Sequence, residues 1–489
     1  MPASLFPPAA EILRVLPEII LTLSGTLIMV LEPLTGERPK TFLGFTALAA
    51  LVAAMFASAL AFAQPGEAFS GMVVVDGFAT FFRLVVLGAG VLTVLSSYQF
   101  LTREGANTGE YYALVLFSVA GQSVMVSAHE LIMIFIGLEI SSIATYVLAG
   151  FLRDDQRANE SAVKYFLLGS FATAFVLYGI AWVYGATGST ELTAIRAAFA
   201  APQAGVPVAA LASVAAALMF VGFGFKVSGA PFQIWAPDVY QGAPSPVSAF
   251  LSTGPKAAAF AVFLRVFTTG FAPIGHRWEP LVWISALLSM TIGNFAALTQ
   301  TNLKRMLAYS SIAHAGYVLV AVTARSDVGT AAAMFYLAAY VLMNIGAFAV
   351  VTHFSRKGER YQNIEDLAGL GATQPLTAAL FAIFLLSLIG VPLTAGFFGK
   401  FYIFKAALGS DLVVLTVLGL LNSAVGAYYY LRVLVVMYMR EPGEAAAGVP
   451  PLAGGLRATL VLASAGTLAL GIFPTAVLDF ARYAARMAR

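Results

Sequence analysis

The chain has no cysteine and very little charge. With no Cys among its 489 residues, it can form neither disulfides nor thiolate-ligated clusters. Only 10% of residues are charged and 60% are hydrophobic, whereas a soluble domain carries about 25% charged residues. The formal net charge is only +3 and no basic patch occurs, so a nucleic-acid partner is not expected. Four widely spaced histidines (His129, His276, His314 and His353) predict neither a metal site nor a haem site.

Apolar runs long enough to cross a membrane recur along the whole chain, and the mean hydropathy is +0.86. A run of about 20 residues crosses a hydrocarbon core about 30 Å thick. The pattern predicts an all-α polytopic membrane protein with about 14 transmembrane helices. Two of these spans, the seventh at 207–240 and the twelfth at 374–408, contain internal prolines and glycines and are predicted to be broken.

The loop charges predict an orientation. Most loop lysines and arginines follow odd-numbered spans, among them Arg103, Arg153, Lys304 and Arg356. Loops rich in Lys and Arg face the cytoplasm. Both termini are therefore expected on the outer side of the membrane.

Several ionisable residues fall inside the predicted spans. A charged side chain at the centre of a span costs about 2.5–3.5 kcal/mol even on a lenient insertion scale, so it needs a partner or water. Lys164 and Arg432 lie near span ends and can extend their charges towards water. Two interpretations stay open for Glu18 and Arg83: a static pair that joins helices, or a functional role.

Four positions favour function over structure: Glu139, Lys226, Lys256 and Lys400. Glu139 lies in the middle of a span beside small residues, which allow close helix approach. Each lysine lies in a segment that contains proline: Lys226 in KVSGAPF, Lys256 in STGPKAAAF and Lys400 in GVPLTAGFFGK. A buried lysine loses its charge readily and a nearby carboxylate restores it. One acid with several lysines therefore predicts a chain of sites that pass protons along.

The helix breaks indicate the same class of protein. Irregular backbone at membrane depth persists only where protein buries it or where it lines a wet cavity. Broken helices at matching positions of two halves are typical of repeat-built transporters. Lys226 precedes Pro231, whereas Lys400 follows Pro392, and the two halves share no evident residue identity. The internal repeat is therefore inferred from the pattern alone.

Three long motifs carry a family resemblance: KVSGAPFQIWAPDVYQGAPSPVSAFLSTGPKAA, LKRMLAYSSIAHAGY and VPLTAGFFGKFYIF. Together they resemble the antiporter-like membrane subunits of respiratory complex I (NADH–quinone oxidoreductase). The resemblance covers essentially the whole chain. At the lysine of GFFGKF the chain is similar to the N-type subunits, whereas M-type subunits typically carry glutamate at that position. The family is also similar to the large subunits of multi-subunit sodium/proton antiporters.

The resemblance implies a fold of fourteen helices in which helices 4–8 and 9–13 form two inverted five-helix repeats, with helices 7 and 12 broken. It divides the chain into four parts: N-terminal helices 1–3 (1–105), a first repeat (106–272), a second repeat (273–442) and a C-terminal helix 14 (443–489).

It also implies roles for individual residues. Glu139 resembles the fifth-helix glutamate, and Lys226 its lysine partner on the seventh helix. Lys256 resembles the connecting lysine of the eighth helix, and Lys400 the twelfth-helix lysine that leads to the outer exit. His314 is expected near the central polar axis as a further proton carrier. Secondary roles in entry or coupling are expected for three more residues: Glu160, Lys164 and Lys304.

The implied function is outward proton translocation, driven by electron transfer elsewhere in an enzyme complex. No cofactor is expected on this chain, while FMN, iron–sulfur clusters and quinone are expected in partner subunits. The implied partners are the M-type antiporter-like subunit, the small A-, J- and K-type subunits and the lipid bilayer. The implied location is the bacterial inner membrane, with both termini periplasmic. Two alternatives are a subunit of a sodium/proton antiporter and a structural membrane-arm subunit without pumping activity.

Overall fold

The computed structural model describes residues 7–36, 40–201 and 206–487. The helices, in chain order, are α1 (Ala9–Arg14), α2 (Leu16–Leu34), α3 (Thr41–Phe62), α4 (Gly77–Glu104), α5 (Gly109–Ser127), α6 (Leu131–Ala149), α7 (Gln156–Thr187), α8 (Leu192–Ala200), α9 (Val206–Lys226), α10 (Trp235–Gly242), α11 (Ser245–Leu251), α12 (Gly254–Arg265), α13 (Gly275–Leu298), α14 (Leu303–Thr323), α15 (Asp327–Phe354), α16 (Leu370–Thr373), α17 (Pro375–Ile389), α18 (Ala395–Leu408), α19 (Val413–Met439), α20 (Glu444–Ala447), α21 (Gly454–Ile472) and α22 (Thr475–Met487). A π-helical turn follows α12 at Val266–Gly270, and short 3-10 turns lie at Ala272–Ile274, Lys357–Glu359 and Ile364–Leu367. A small antiparallel hairpin joins β1 (Gly66–Ala68) to β2 (Val73–Val75), with Gly66 opposite Val75.

The prediction of an all-α polytopic membrane protein is confirmed. Within the described residues, 11 helices are long and apolar enough to cross a membrane. Shorter apolar helices cover Ala210–Lys226 and Pro375–Ile389, in the two spans that were predicted to be broken. In the seventh span α9 ends at Lys226 and α10 begins at Trp235; in the twelfth, α17 ends at Ile389 and α18 begins at Ala395.

The eighth span is present, because Ser245–Gly270 is long and apolar enough to cross a membrane. Within it the helix is interrupted between α11 and α12, where Thr253 leaves the helical conformation (φ −127°, ψ −80°). Pro255 then occupies the first turn of α12, where a proline's missing N–H costs nothing. The last candidate span, Gly454–Ile472, is followed by α22, which starts just after Pro474.

Side chains at the helix starts satisfy backbone groups that would otherwise lack partners. Asp76 accepts a hydrogen bond from the Ala79 amide at the start of α4, and Glu130 accepts one from Met133 at the start of α6. Asn302 does the same for Arg305 at the start of α14. Such caps supply acceptors for amides that the helix itself cannot pair.

One backbone arrangement occurs twice. The Leu131 amide donates to Thr190 O at 2.9 Å, and the Leu192 amide donates to His129 O at 3.1 Å. The same pair of bonds recurs 172 positions later along the chain, where Leu303 takes the place of Leu131 and Gln362 that of Thr190. The Leu303 amide donates to Gln362 O at 2.7 Å, and the Ile364 amide donates to Thr301 O at 2.9 Å. Given the order of the spans, the two copies lie at opposite ends of the helical bundle.

A helix contact repeats with the same offset. A Cβ on Gly121 of α5 would lie 2.6 Å from both Gly137 O and Ser141 N of α6. A Cβ on Gly293 of α13 would lie 2.8 Å from Tyr309 O and 2.6 Å from Ala313 N of α14. Both helix pairs therefore touch through a glycine, and the positions they touch correspond one to one.

Two buried arginines form ion pairs with carboxylates of other helices or helix ends. Arg83 Nη2 lies 2.7 Å from Glu18 Oε1, and Ser123 also donates to that oxygen. Arg265 binds both carboxylate oxygens of Asp76, at 3.0 Å each. These pairs join α4 to α2 and to α12, and they favour the static interpretation of Glu18 and Arg83.

Candidate functional site

Lys226 is the last residue of α9, where the seventh span breaks. Its Nζ donates to Ser142 Oγ at 2.7 Å and to Tyr146 OH at 3.1 Å, both on α6. The Tyr146 ring lies beneath the ammonium, 5.2 Å from its centroid. The break thus ends a helix beside hydroxyl groups that can hold the lysine in either protonation state.

Glu139 is one helical turn before Ser142 on α6 and is half-buried. Its Oε1 is buried and has no hydrogen-bond partner in the protein. Among the described residues, no direct ion pair joins Glu139 to Lys226. Glu139 therefore lies on the same helix as Ser142 and Tyr146, and the hydroxyl groups of those two residues, not the Glu139 carboxylate, contact the Lys226 ammonium.

Lys256 begins the second part of the interrupted eighth span and is 2% exposed. Its Nζ donates to Ser311 Oγ at 2.5 Å and contacts Ser311 O at 3.3 Å. Ser311 belongs to α14, so this contact joins the eighth span to the tenth.

His314 lies one turn after Ser311 on the same helix and is 2% exposed. Its Nδ1 shares a short hydrogen bond with Tyr336 OH, and its Nε2 lies 3.1 Å from Tyr430 OH. Tyr430 OH in turn shares a short hydrogen bond with Ser310. An imidazole with a hydroxyl at each ring nitrogen can accept a proton at one nitrogen and release one from the other.

Lys400 lies on α18, beyond the break in the twelfth span. Its Nζ donates to the carbonyl oxygens of Leu388 (3.0 Å) and Ile389 (2.8 Å), at the end of α17, and to Ser423 Oγ (2.8 Å). The Tyr317 ring centroid is 4.8 Å from the ammonium. The carbonyls at a helix end carry partial negative charge, so the break itself supplies the acceptors for this cation.

The three secondary residues fall into two groups on the side predicted to be cytoplasmic. Lys164 lies 2.6 Å from Glu160 and 2.8 Å from Asp238, on a partly exposed surface. Lys304 is fully buried: it donates to Glu359 at 2.9 Å and to Ala243 O at 2.5 Å. Glu359 also accepts hydrogen bonds from the amide and hydroxyl of Ser245.

Sequence reasoning missed several of these groups. Glu359 appears in the sequence as an ordinary loop residue, yet it is 4% exposed. The missed hydroxyls that contact site residues are Tyr146, Ser311, Tyr336, Ser423 and Tyr430. Their one shared sequence signal is a hydroxyl group inside an apolar span, as in the AYSSIAHAGY segment. Among the described residues, no group of three or more His, Cys, Asp or Glu could hold a metal ion.

Comparisons with known proteins agree on one family. The family described as "NADH:quinone oxidoreductase/Mrp antiporter, TM" matches residues 128–426. A protein of Solibacter usitatus named "NADH-quinone oxidoreductase subunit N 1" is 66% identical over 96% of both chains. One of Koribacter versatilis, named "NADH-quinone oxidoreductase subunit N 2", is 50% identical over 97% of this chain and 96% of its own length.

Solved structures give the same fold. A chain of respiratory complex I from Thermus thermophilus superposes with a TM-score of 0.81 at 38% identity, covering 95% of this chain and 98% of that one. A chain of the Mrp complex from Dietzia sp. reaches a TM-score of 0.84 at 20% identity, with 97% of each chain covered. At that identity the second likeness concerns the fold alone.

Proposed function

Since the chain belongs to the antiporter-like membrane subunits of NADH–quinone oxidoreductase, in the subunit N branch, we propose that it moves protons outward while partner subunits transfer electrons. It is thus one component of an enzyme complex, and it contributes to the membrane part of that complex. The lysines at the two helix breaks, linked by buried hydroxyl groups and a histidine, carry the protons.

The first step is release from Lys226. When the Glu139 carboxylate approaches, opposite charge favours the protonated lysine; when it withdraws or is neutralised, Lys226 gives up its proton. The hydroxyls of Ser142 and Tyr146 supply the contacts that Lys226 keeps in the absence of a direct carboxylate partner. The proton then passes to Lys256.

The contact that supports this route best is on α14. Ser311 binds Lys256, and His314, one turn further, binds Tyr336 and Tyr430. Buried groups on one helix therefore run from the connecting lysine towards the second repeat. From there the proton reaches Lys400 and leaves on the outer side.

The division into two inverted repeats (106–272 and 273–442), between an N-terminal part (1–105) and a C-terminal part (443–489), belongs to the same proposal. Its support is the doubled backbone pair and the doubled glycine contact, each with an offset of 172 positions and at opposite ends of the bundle.

Electron transfer belongs to other subunits in this proposal, with FMN, iron–sulfur clusters and quinone bound there. The M-type subunit and the small A-, J- and K-type subunits are the neighbours in a bacterial inner membrane, and both termini face the periplasm. The distribution of loop arginines and lysines supports this orientation.

A subunit of a sodium/proton antiporter is the alternative function, because the Dietzia Mrp chain has the same fold. The two functions differ in the source of energy. A complex I subunit pumps only while NADH is oxidised, whereas an antiporter exchanges ions along a gradient without any electron donor.

The test uses native membranes that carry Lys226→Ala, with assembly of the complex verified. NADH-driven quinone reduction and outward proton translocation are recorded together. Lys405→Ala is the matched control, because Lys405 is an exposed lysine in the last turn of α18. We expect Lys226→Ala to abolish coupled turnover and Lys405→Ala to leave it unchanged.

Other outcomes are equally informative. Normal reduction and pumping with loss of sodium tolerance alone would support the antiporter function. Normal behaviour in every assay would show that Lys226 carries no protons.

A further inference from the structure

An apolar crevice opens on the surface of the bundle between α4, α15, α21 and α22. Its volume is about 620 Å³, and every residue that lines it is apolar. These residues include Leu84 and Gly88 of α4, Leu342 of α15, Leu470 of α21 and Phe480 of α22. The helices α4, α15 and α21 are each long and apolar enough to cross a membrane. The crevice therefore lies at a depth where the surrounding medium is lipid chains.

Both ends of the crevice are closed by contacts. At one end the Phe480 ring of α22 lies 6.0 Å from the Phe81 ring and 5.8 Å from the Phe62 ring. At the other end α21 touches α4, where the Thr459 hydroxyl donates to Leu92 O at 3.3 Å. Between Phe81 and Leu92 the helix rises by roughly 16 Å. That length is close to half of a hydrocarbon core about 30 Å thick, which is the depth of one leaflet.

The α4 wall leaves room for a ligand at one glycine. A Cβ added to Gly88 would meet no other atom within 4 Å, whereas a Cβ added to Gly466, on the facing wall, would lie 2.8 Å from Leu342 Cδ1. The space beside Gly88 is therefore not taken by the protein's own side chains.

We propose that this crevice binds an acyl chain of a membrane phospholipid from one leaflet. A transmembrane helix of a partner needs the full membrane thickness, and the closed ends leave only about half of that length. A single methylene chain fits both the length and the wall. Because lipid tails are as apolar as the crevice, selectivity comes from close packing and not from the hydrophobic effect.

The test is photo-cross-linking in native membranes that contain the assembled complex. A phosphatidylethanolamine with a diazirine in its acyl chain is incorporated and activated, and the labelled peptides are identified by mass spectrometry. We expect labelling between Leu84 and Val91 to exceed that of exposed lipid-facing positions on α7 such as Phe171 and Leu177.

Gly88→Leu fills the space, and we expect it to lower labelling of the crevice by about fivefold, because a close-packed wall leaves no room for the chain. Gly185→Leu is the matched control: it adds the same side chain at another open glycine, on α7, and should change nothing in the crevice. If Gly88→Leu prevents assembly, Val91→Phe fills the same space from the next turn.

Three results would overturn the acyl-chain assignment. The first is labelling of the crevice that is no higher than labelling on α7, and the second is labelling that does not change when the space is filled. The third is a photoreactive residue at Leu84 that cross-links to a protein subunit, which would make the crevice a docking site for a partner chain. None of these results depends on whether Lys226 carries protons.

Discussion

The two helix breaks hold their lysines in different ways. Lys226 contacts the hydroxyl groups of Ser142 and Tyr146 on α6, and the Glu139 carboxylate lies one turn before Ser142 on that helix. Lys400 contacts two backbone carbonyls at the end of α17 and one hydroxyl. Backbone carbonyls at a helix end carry a fixed partial charge at a fixed place, whereas a side-chain carboxylate such as that of Glu139 can move towards or away from the lysine. The first lysine can therefore be controlled by a neighbour, and the second is held by its own break.

The offset of 172 positions makes the comparison residue by residue. At this offset Glu139 corresponds to Ser311, and Ser142 corresponds to His314. The counterpart on α14 of the acid on α6 is thus the hydroxyl that binds Lys256. The acid and the connecting contact thus occupy equivalent places in the two halves.

After the loss expected for Lys226→Ala, the next largest effect is expected from Lys400→Arg. The guanidinium can still bind the carbonyls of Leu388 and Ile389, but it does not release a proton. We expect proton translocation to fall by about a hundredfold, the scale of a lost proton-transfer group, as measured in assembled complex with NADH. Retained pumping would mean that Lys400 supplies only a fixed charge.

Ser311→Glu gives α14 an acid at the position that corresponds to Glu139 on α6. A carboxylate beside Lys256 would favour the protonated lysine, because a nearby opposite charge stabilises the ionised form. We expect pumping to slow by about tenfold. Ser311→Gln, which adds the same bulk without the charge, is the control. Equal rates in the two variants would refute the charge effect.

Smaller effects are expected at the tyrosines around His314. Tyr336→Phe and Tyr430→Phe each remove one hydrogen bond to His314, worth about 0.5–1.5 kcal/mol, and we expect each to slow translocation by about threefold. The double variant tests whether both tyrosines act on one histidine, because coupled groups give non-additive effects. Strictly multiplicative rates would indicate separate routes.

The smallest effect concerns His129, which lies outside the spans and contrasts with the buried His314. Burial, followed by the charge of Arg265, lowers the pKa of His129, against the opposing charge of Glu191. The folded chain therefore holds this imidazole neutral, while the unfolded chain binds a proton below about pH 6.5. Stability should fall as the pH drops through that value.

We expect His129→Gln to flatten this dependence slightly and to leave pumping unchanged. Thermal unfolding of the purified complex between pH 5 and pH 8 measures it. A steeper dependence in the variant would contradict the assignment.

Composition and proline positions predicted the membrane fold and both main breaks, because apolar length and a missing N–H act locally. The interruption near Thr253 was missed although Pro255 marks it. The correspondence at an offset of 172 positions could not be read from the sequence, because it is visible only in backbone hydrogen bonds and in a glycine contact between helices. The partners of His314 were out of reach for another reason: Tyr430 lies 116 positions away.

The contact of Lys304 and Glu359 with Ala243 and Ser245 has a consequence for the order of synthesis. Ala243 directly follows α10 and Ser245 begins α11, so Lys304 and Glu359 bind the backbone on the two sides of one junction. Ser245 precedes Glu359 by 114 positions. The C-terminal end of the first broken helix therefore gains both partners only after Glu359, about midway through the second half of the chain, has been translated. Neither half, made alone, would carry a finished junction.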